Sequence, residues 1–374
     1  MTENKNLISF SANSNYLPGL DGVRAISILI VLVSHFGLGK IVPGGFGVTI
    51  FFFVSGFLIT RLLVGEQNKT CGNINLPNFY IRRFLRLMPA LYVFVAFTYF
   101  FSLFFGVKAT TGQTISALLY FANYYDVIWQ YFGWAQRIVP WGHLWSLAVE
   151  EHFYLLFPFL LAVFGRNQSS RLKLIIGVII IVAIWRYFAF TTLKLGENYT
   201  YSTTDCRIES IAWGCLLAVL FDGFDASKKR LNFLIGWHWV GIGLGIILFS
   251  LLFRDETFRA TMRYSIQGIG VFILILNLYA FQPLGFALNI LELKPIRFLG
   301  RLSYSLYLWH YPVLWGCYRM IGEDVGDVIL PAKLLIIAII GSLGLALLSY
   351  YYIERPFFAL RKKFGGKPVE EMRT

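Results

Sequence analysis

Charged side chains are scarce in this chain. Only 14% of its 374 residues are Asp, Glu, Lys or Arg, whereas 57% are hydrophobic. Soluble domains run at about 25% charged and about 45–50% apolar. The composition therefore excludes a soluble enzyme, a secreted disulfide scaffold and a disordered chain. Cysteine is scarce too. Cys71, Cys206, Cys215 and Cys317 show no CxxC spacing and read as small structural side chains without redox or metal roles. There is no HExxH, no GxSxG, no Walker loop and no Cys/His ligand spacing. Metal catalysis and ATP hydrolysis are thus unsupported. Zinc-finger and RNP-like segments are also missing, so nucleic acid is not an expected partner despite a net charge of +13. Nothing resembles a cleaved signal peptide, and the first apolar run reads as a retained span.

What is present is long apolar runs, in a chain of mean hydropathy +0.63. Many approach the roughly 20 residues that cross a bilayer as helix. A β-barrel would instead show alternating segments of about ten residues. Ten spans are expected, near 22–41, 46–65, 87–106, 146–164, 173–193, 205–221, 232–253, 264–282, 299–321 and 329–353. An eleventh candidate, Thr114–Trp129, is short and interrupted by Asn123 and Asp126. Basic residues accumulate in cytoplasmic loops. Placing Arg82, Arg83 and Arg86, the Lys228–Arg230 cluster and the basic tail inside requires both termini to be cytoplasmic and 107–145 to be an outer segment with a partly embedded piece. The expectation is an all-α, multi-pass integral membrane protein of about ten transmembrane helices. Residues 1–16 form a polar N-terminal segment, 17–357 the transmembrane domain and 358–374 a basic cytoplasmic tail. No internal repeat is visible, which counts against many transporter folds.

Ionisable residues inside spans are costly, so each is a functional candidate. Arg24 and His35 lie 11 residues apart in the first span. Eleven residues of helix make about three turns and about 16 Å of rise, which returns to nearly the same face. His35 is either a packing histidine or a general base, since an imidazole ordinarily titrates near ~6.5. Arg83 and Arg86 share a helical face and, with Arg82, either grip phosphate in forked bonds or anchor lipid headgroups. The densest polar cluster runs from His143 to Tyr154 and holds Trp145, Glu150 and Glu151. Adjacent carboxylates entering an apolar span imply either a structural salt bridge or a functional site. Arg207 and Glu209 enter the sixth span beside Asp205, and His310 lies mid-span in the ninth. Glu354-Arg355 closes the last span as an interfacial anchor. Ser55 sits among small residues that let helices approach.

Taken in order, these pieces resemble the membrane acyltransferase-3 family, the O-acetyltransferases of bacterial surface glycans. The resemblance covers about residues 17–357. It rests on Arg24 and His35, the Gly44-Gly45-Phe46 and Phe51–Ile59 runs, and the Arg83-x-x-Arg86 pair. The Trp145–Tyr154 block, the Ser303–Pro312 block and Ile353-Glu354-Arg355-Pro356 complete it. The chain departs from the family where Val48-Thr49-Ile50 replaces a common Val-Asp-Val, so no carboxylate stands at position 49. His152 stands where Gln is common and Glu209 where Asp is common.

The resemblance implies transfer of an acyl group, acetyl first, from cytoplasmic acetyl-CoA to a hydroxyl of a surface or lipid-linked glycan. Acetyl-CoA would be a co-substrate, with no permanently bound cofactor and no metal. Arg24, Arg82, Arg83 and Arg86 would receive the polyanionic donor. His35 would act as general base or carry the acyl group. Glu150 would orient His35, stabilise its charge or bind the sugar. Ser55, Tyr154 and Trp145 would line the acceptor path, with His143, Arg207, Glu209 and His310 as further polar candidates. Because the sequence stops about 20 residues after its last span, transfer is expected to finish within the membrane domain or with a partner. Two other classes would use the same buried groups: a proton-coupled transporter and a non-catalytic glycan- or lipid-binding scaffold.

Overall fold

The structure, a computed structural model, describes residues 17–133, 139–222, 231–325 and 329–364. The polar segment 1–16, the Lys228–Arg230 cluster and the tail beyond 364 lie outside the described residues. Among the described residues there is no β-strand. The helices are α1 (Leu20–Val33), α2 (Gly44–Lys69), α3 (Leu76–Phe104), α4 (Thr111–Leu118), α5 (Ala122–Tyr131), α6 (Leu144–Phe164), α7 (Gln168–Thr191) and α8 (Gly196–Ser202). They continue as α9 (Thr204–Phe221), α10 (Trp237–Leu252), α11 (Glu256–Ala260), α12 (Arg263–Ala280), α13 (Gly285–Leu291), α14 (Lys294–Arg319), α15 (Ala332–Ser349) and α16 (Arg355–Leu360).

Each of the ten expected spans coincides with a helix. Among the described residues, seven stretches are long and apolar enough to cross a membrane: Leu20–Leu38, α2, α3, α6, α7, α12 and Ala332–Leu360. The other three depart from that standard for visible reasons. α10 has 16 residues, or about 24 Å of helix against a hydrocarbon core of about 30 Å. α9 carries Asp205, Arg207 and Glu209. α14 carries Lys294, Arg297, Arg301 and Arg319. The eleventh candidate breaks at Tyr120, whose φ is 56°. It becomes the 8-residue α4 and the 10-residue α5, each too short to cross.

The packed interior depends on small residues. A Cβ on Gly56 would fall 2.0 Å from the carbonyl oxygen of Ile211, and one on Gly214 would fall 1.9 Å from that of Phe53. These reciprocal glycines bring α2 and α9 into backbone contact, the closest approach two helices can make. Outward, α7 presents Ile180, Ile181 and Ile184, and α15 presents Ile336 and Ile340, all exposed. An apolar skin of this kind is unfavourable in water and natural in lipid.

Two local features place the site. α1 gives way to a π-helical turn over Ser34–Leu38, and Gly37 adopts φ 117°, a left-handed value suited to glycine. The helix therefore ends just after His35, on the opposite end from Arg24. α3 starts at Leu76, well before the expected 87, because Asn75 caps it: the Asn75 side chain accepts from Asn78 N–H at 3.0 Å, and Pro77 occupies the first turn. Arg82, Arg83 and Arg86 thus ride on the same rigid helix as the apolar span that follows.

Candidate active site

Four long helices and the end of α1 line a partly open cavity with about 610 Å³ of non-atom space, open solvent included. Arg24 enters from α1, Ser55 from α2, Arg83 and Arg86 from α3, Glu150 and Tyr154 from α6, and Tyr304 and Tyr307 from α14. The sequence placed six of these in the site, and the structure brings them together across 280 residues of chain. Glu150 is their hub: the hydroxyls of Ser55 and Tyr154 both donate to its carboxylate. The Arg83 guanidinium stacks on the Tyr154 ring, 3.8 Å from its centroid. None of Arg24, Arg83 and Arg86 joins an ion pair among the described residues. Arg86 feels the charges of Arg24, Arg83 and Arg361, and the carboxyl groups of Glu151 and Glu354 lie close enough to interact with it. A concentration of guanidinium groups of this kind suits a multiply charged anion.

The opposite wall leads to three histidines. Tyr307 shares its hydroxyl with Ser146 at 2.5 Å and donates to the His143 carbonyl at 3.0 Å. Its ring lies 5.5 Å from the His143 ring and 5.6 Å from the His310 ring, centroid to centroid. Behind it, His35 Nδ1 is 2.9 Å from His310 Nε2. His310 Nδ1 faces the Leu306 carbonyl at 3.0 Å. His143 is buried with no hydrogen-bond partner on either ring nitrogen. His35 itself is not among the residues lining the arginine cavity.

The structure separates other candidates from the site. Glu150 bonds Ser55 and Tyr154, whereas His35 pairs with His310. Arg82 does not line the cavity. It donates to the Phe364 carbonyl at 2.9 Å and lies 3.9 Å from Glu66, because the residue before Arg83 on a helix points about 100° away. Glu209 is consumed by Arg186 in an ion pair of 2.7 Å with both side chains buried. Arg186 also donates to the carbonyls of Thr261 and Cys206 and to Ser265. Glu354 is no interfacial anchor: it is buried at 3% exposure and accepts from Ser305. Arg207 and Trp145 form a second buried group. The Arg207 guanidinium sits 3.9 Å from the Tyr264 ring and 5.4 Å from Trp145, and donates to Thr49 at 3.3 Å. Thr49, where the resemblance leads one to look for a carboxylate, instead bonds Gln267 at 3.3 Å.

The sequence reading passed over Arg186, Tyr304, Tyr307 and Ser146. Arg186 had a signal, a charge deep in an otherwise apolar run. The Ser146–Tyr307 bond joins positions 161 residues apart and leaves no trace in local pattern. Outside this region, Asp205 accepts from Tyr124 and Tyr199 at 2.7 Å each. Burial, with these bonds to Asp205, holds both phenols well above their usual range. This network ties α5 and α8 to α9 as a structural joint.

The acyltransferase domain family matches residues 17–351. The chain is 31% identical over 363 residues to the O-acetyltransferase OatA of Staphylococcus aureus, covering 93% of this chain and 58% of that protein. It is also 31% identical over 352 residues to the putative peptidoglycan O-acetyltransferase YrhL of Bacillus subtilis, covering 91% and 55%. Over 316 residues it is 31% identical to the peptidoglycan O-acetyltransferase OatA of Listeria monocytogenes, covering 80% and 49%. The chain therefore spans about half the length of the curated relatives it matches. No solved structure matches it.

Proposed function

Because the chain belongs to the acyltransferase domain family, we propose that it is a membrane O-acetyltransferase that moves an acetyl group from cytoplasmic acetyl-CoA to a glycan hydroxyl. Peptidoglycan is the first acceptor to test, since it stands in the names of two relatives. The observation that carries the reading is the cavity lined by Arg24, Arg83 and Arg86, none of them in an ion pair among the described residues. Three half-buried guanidinium groups converging on one cavity suit a ligand carrying several phosphates.

In this reading the phosphates of the donor rest on the arginines and the pantetheine arm runs along Phe51, Phe52 and Ser55 towards Tyr307. The thioester carbonyl then meets the acceptor hydroxyl beside His35. His35 takes the hydroxyl proton as the oxygen attacks the carbonyl carbon. The tetrahedral intermediate collapses, the C–S bond breaks, and the CoA thiolate leaves and regains a proton from the imidazolium. The products are an acetyl ester and free CoA. Ten crossings with both termini cytoplasmic, in the cytoplasmic membrane of a bacterium, put the arginines on the donor side. The test is transfer of radiolabelled acetyl from acetyl-CoA to peptidoglycan fragments by protein in nanodiscs. Ester formation that depends on the protein supports the reading. No transfer to any glycan acceptor, with acetyl-CoA unbound, overturns it.

A further inference from the structure

The geometry points to His310 as the positioning residue that fixes which ring nitrogen of His35 is free to accept a proton. This rests on the reading of His35 as the base in acetyl transfer. His310 Nδ1 lies 3.0 Å from the Leu306 carbonyl oxygen. A carbonyl only accepts, so that nitrogen carries a hydrogen. A neutral His310 then presents a bare lone pair at Nε2. His35 Nδ1 stands 2.9 Å from that lone pair and must be the donor. The two ring planes differ by only 6° and their centroids are 5.1 Å apart. The rings therefore meet edge to edge, with the N–H of one aimed along the lone pair of the other. With its hydrogen on Nδ1, neutral His35 keeps Nε2 unprotonated.

The alternative arrangement places a hydrogen on both nitrogens of His310 and makes His35 the acceptor. It would leave a buried imidazolium, since His310 has 0% exposure. Among the described residues, the groups facing His310 are the Tyr307, Tyr311, His143 and His35 rings. None is a carboxylate. An unpaired buried charge of that kind is strongly disfavoured. In many acid–base pairs a carboxylate holds the catalytic imidazole in one tautomer; here a second imidazole, pinned to its own helix, does the same with no net charge. Glu150 is thereby left free to organise Ser55 and Tyr154.

The test uses full-length protein in nanodiscs, labelled with 15N-histidine. The chain has five histidines, so comparison with His35→Ala assigns the His35 ring nitrogens. The wild type is expected to show the hydrogen on Nδ1 of His35, and His310→Leu to lose that preference. His310→Leu is also expected to lower kcat for acetyl transfer by about 10²–10⁴-fold, the usual worth of a correctly poised base. Its KM for acetyl-CoA should stay within about threefold, because no donor contact is removed. His310→Gln, whose side-chain carbonyl accepts the same bond, should recover at least about tenfold of that loss. A wild-type His35 protonated on Nε2 overturns the proposal. So does a folded His310→Leu that turns over at the wild-type rate. Should His310→Leu not fold, the wild-type spectrum and the Gln variant decide. A wild type that transfers no acetyl group yet carries hydrogen on His35 Nδ1 overturns the activity reading and leaves this one standing.

Discussion

The guanidinium carbon of Arg83 lies 3.8 Å from the centre of the Tyr154 ring, and the Tyr154 hydroxyl donates to Glu150. One tyrosine thus holds a cation with its face and an anion with its edge. Separate changes separate the two functions. Tyr154→Phe keeps the stacking and should leave KM for acetyl-CoA within about threefold, whereas Tyr154→Ala should raise it by about three- to thirtyfold, the range of a partly desolvated cation–π contact. Steady-state kinetics with varied acetyl-CoA checks both.

Arg83→Ala and Arg86→Ala should each raise KM for acetyl-CoA by about tenfold or more, because a hydrogen bond to a charged partner contributes about 1.5–3 kcal/mol. Arg82→Ala is the internal control. Its side chain is engaged with Glu66 and Phe364, so donor KM should be unchanged. Equal effects at positions 82 and 83 would return all three to a common role at the lipid headgroups.

Arg186 and Glu209 predict a stability effect. Removing one member of their buried pair strands the other charge, at a cost of about 3–5 kcal/mol. Arg186→Ala or Glu209→Ala should lower the thermal midpoint in detergent markedly. Arg186→Met combined with Glu209→Met should recover much of the loss, since apolar replacement of a buried pair is often tolerated.

Gly56→Val should abolish folded protein, because even a Cβ there would lie 2.0 Å from the Ile211 carbonyl oxygen. Gly344→Ala, which meets nothing within 4 Å, should elute normally. Size-exclusion profiles of fluorescently tagged variants distinguish these outcomes.

The fold was legible because lipid imposes a simple rule: a spanning helix must be apolar over its length. Seven of the ten runs read from that rule fall on helices long and apolar enough to cross, and the other three on helices that are shorter or carry charge. The rule also explains the misplaced start of α3, since its first eleven residues hold Arg82, Arg83 and Arg86 and look like loop to a hydropathy reading. Several of the side chains that the structure gathers were legible residue by residue. In-span charge flagged Arg24, His35, Glu150 and His310, and the i,i+3 spacing put Arg83 and Arg86 on one face. Partnership was not legible. His35 and His310 are 275 positions apart, so only packing of α1 against α14 reveals that they pair. The same holds for Glu209, whose charge looked available until Arg186 was found against it, and for Glu354, which the sequence left at the interface.

The most direct measurement of the central claim compares wild type with His35→Ala in nanodiscs, following release of CoA from labelled acetyl-CoA in the presence of glycan acceptor. The account predicts CoA release and acetyl ester formation by the wild type, and loss of both by His35→Ala while that variant still folds, inserts and binds acetyl-CoA. Near-normal acetyl transfer by folded His35→Ala would contradict it.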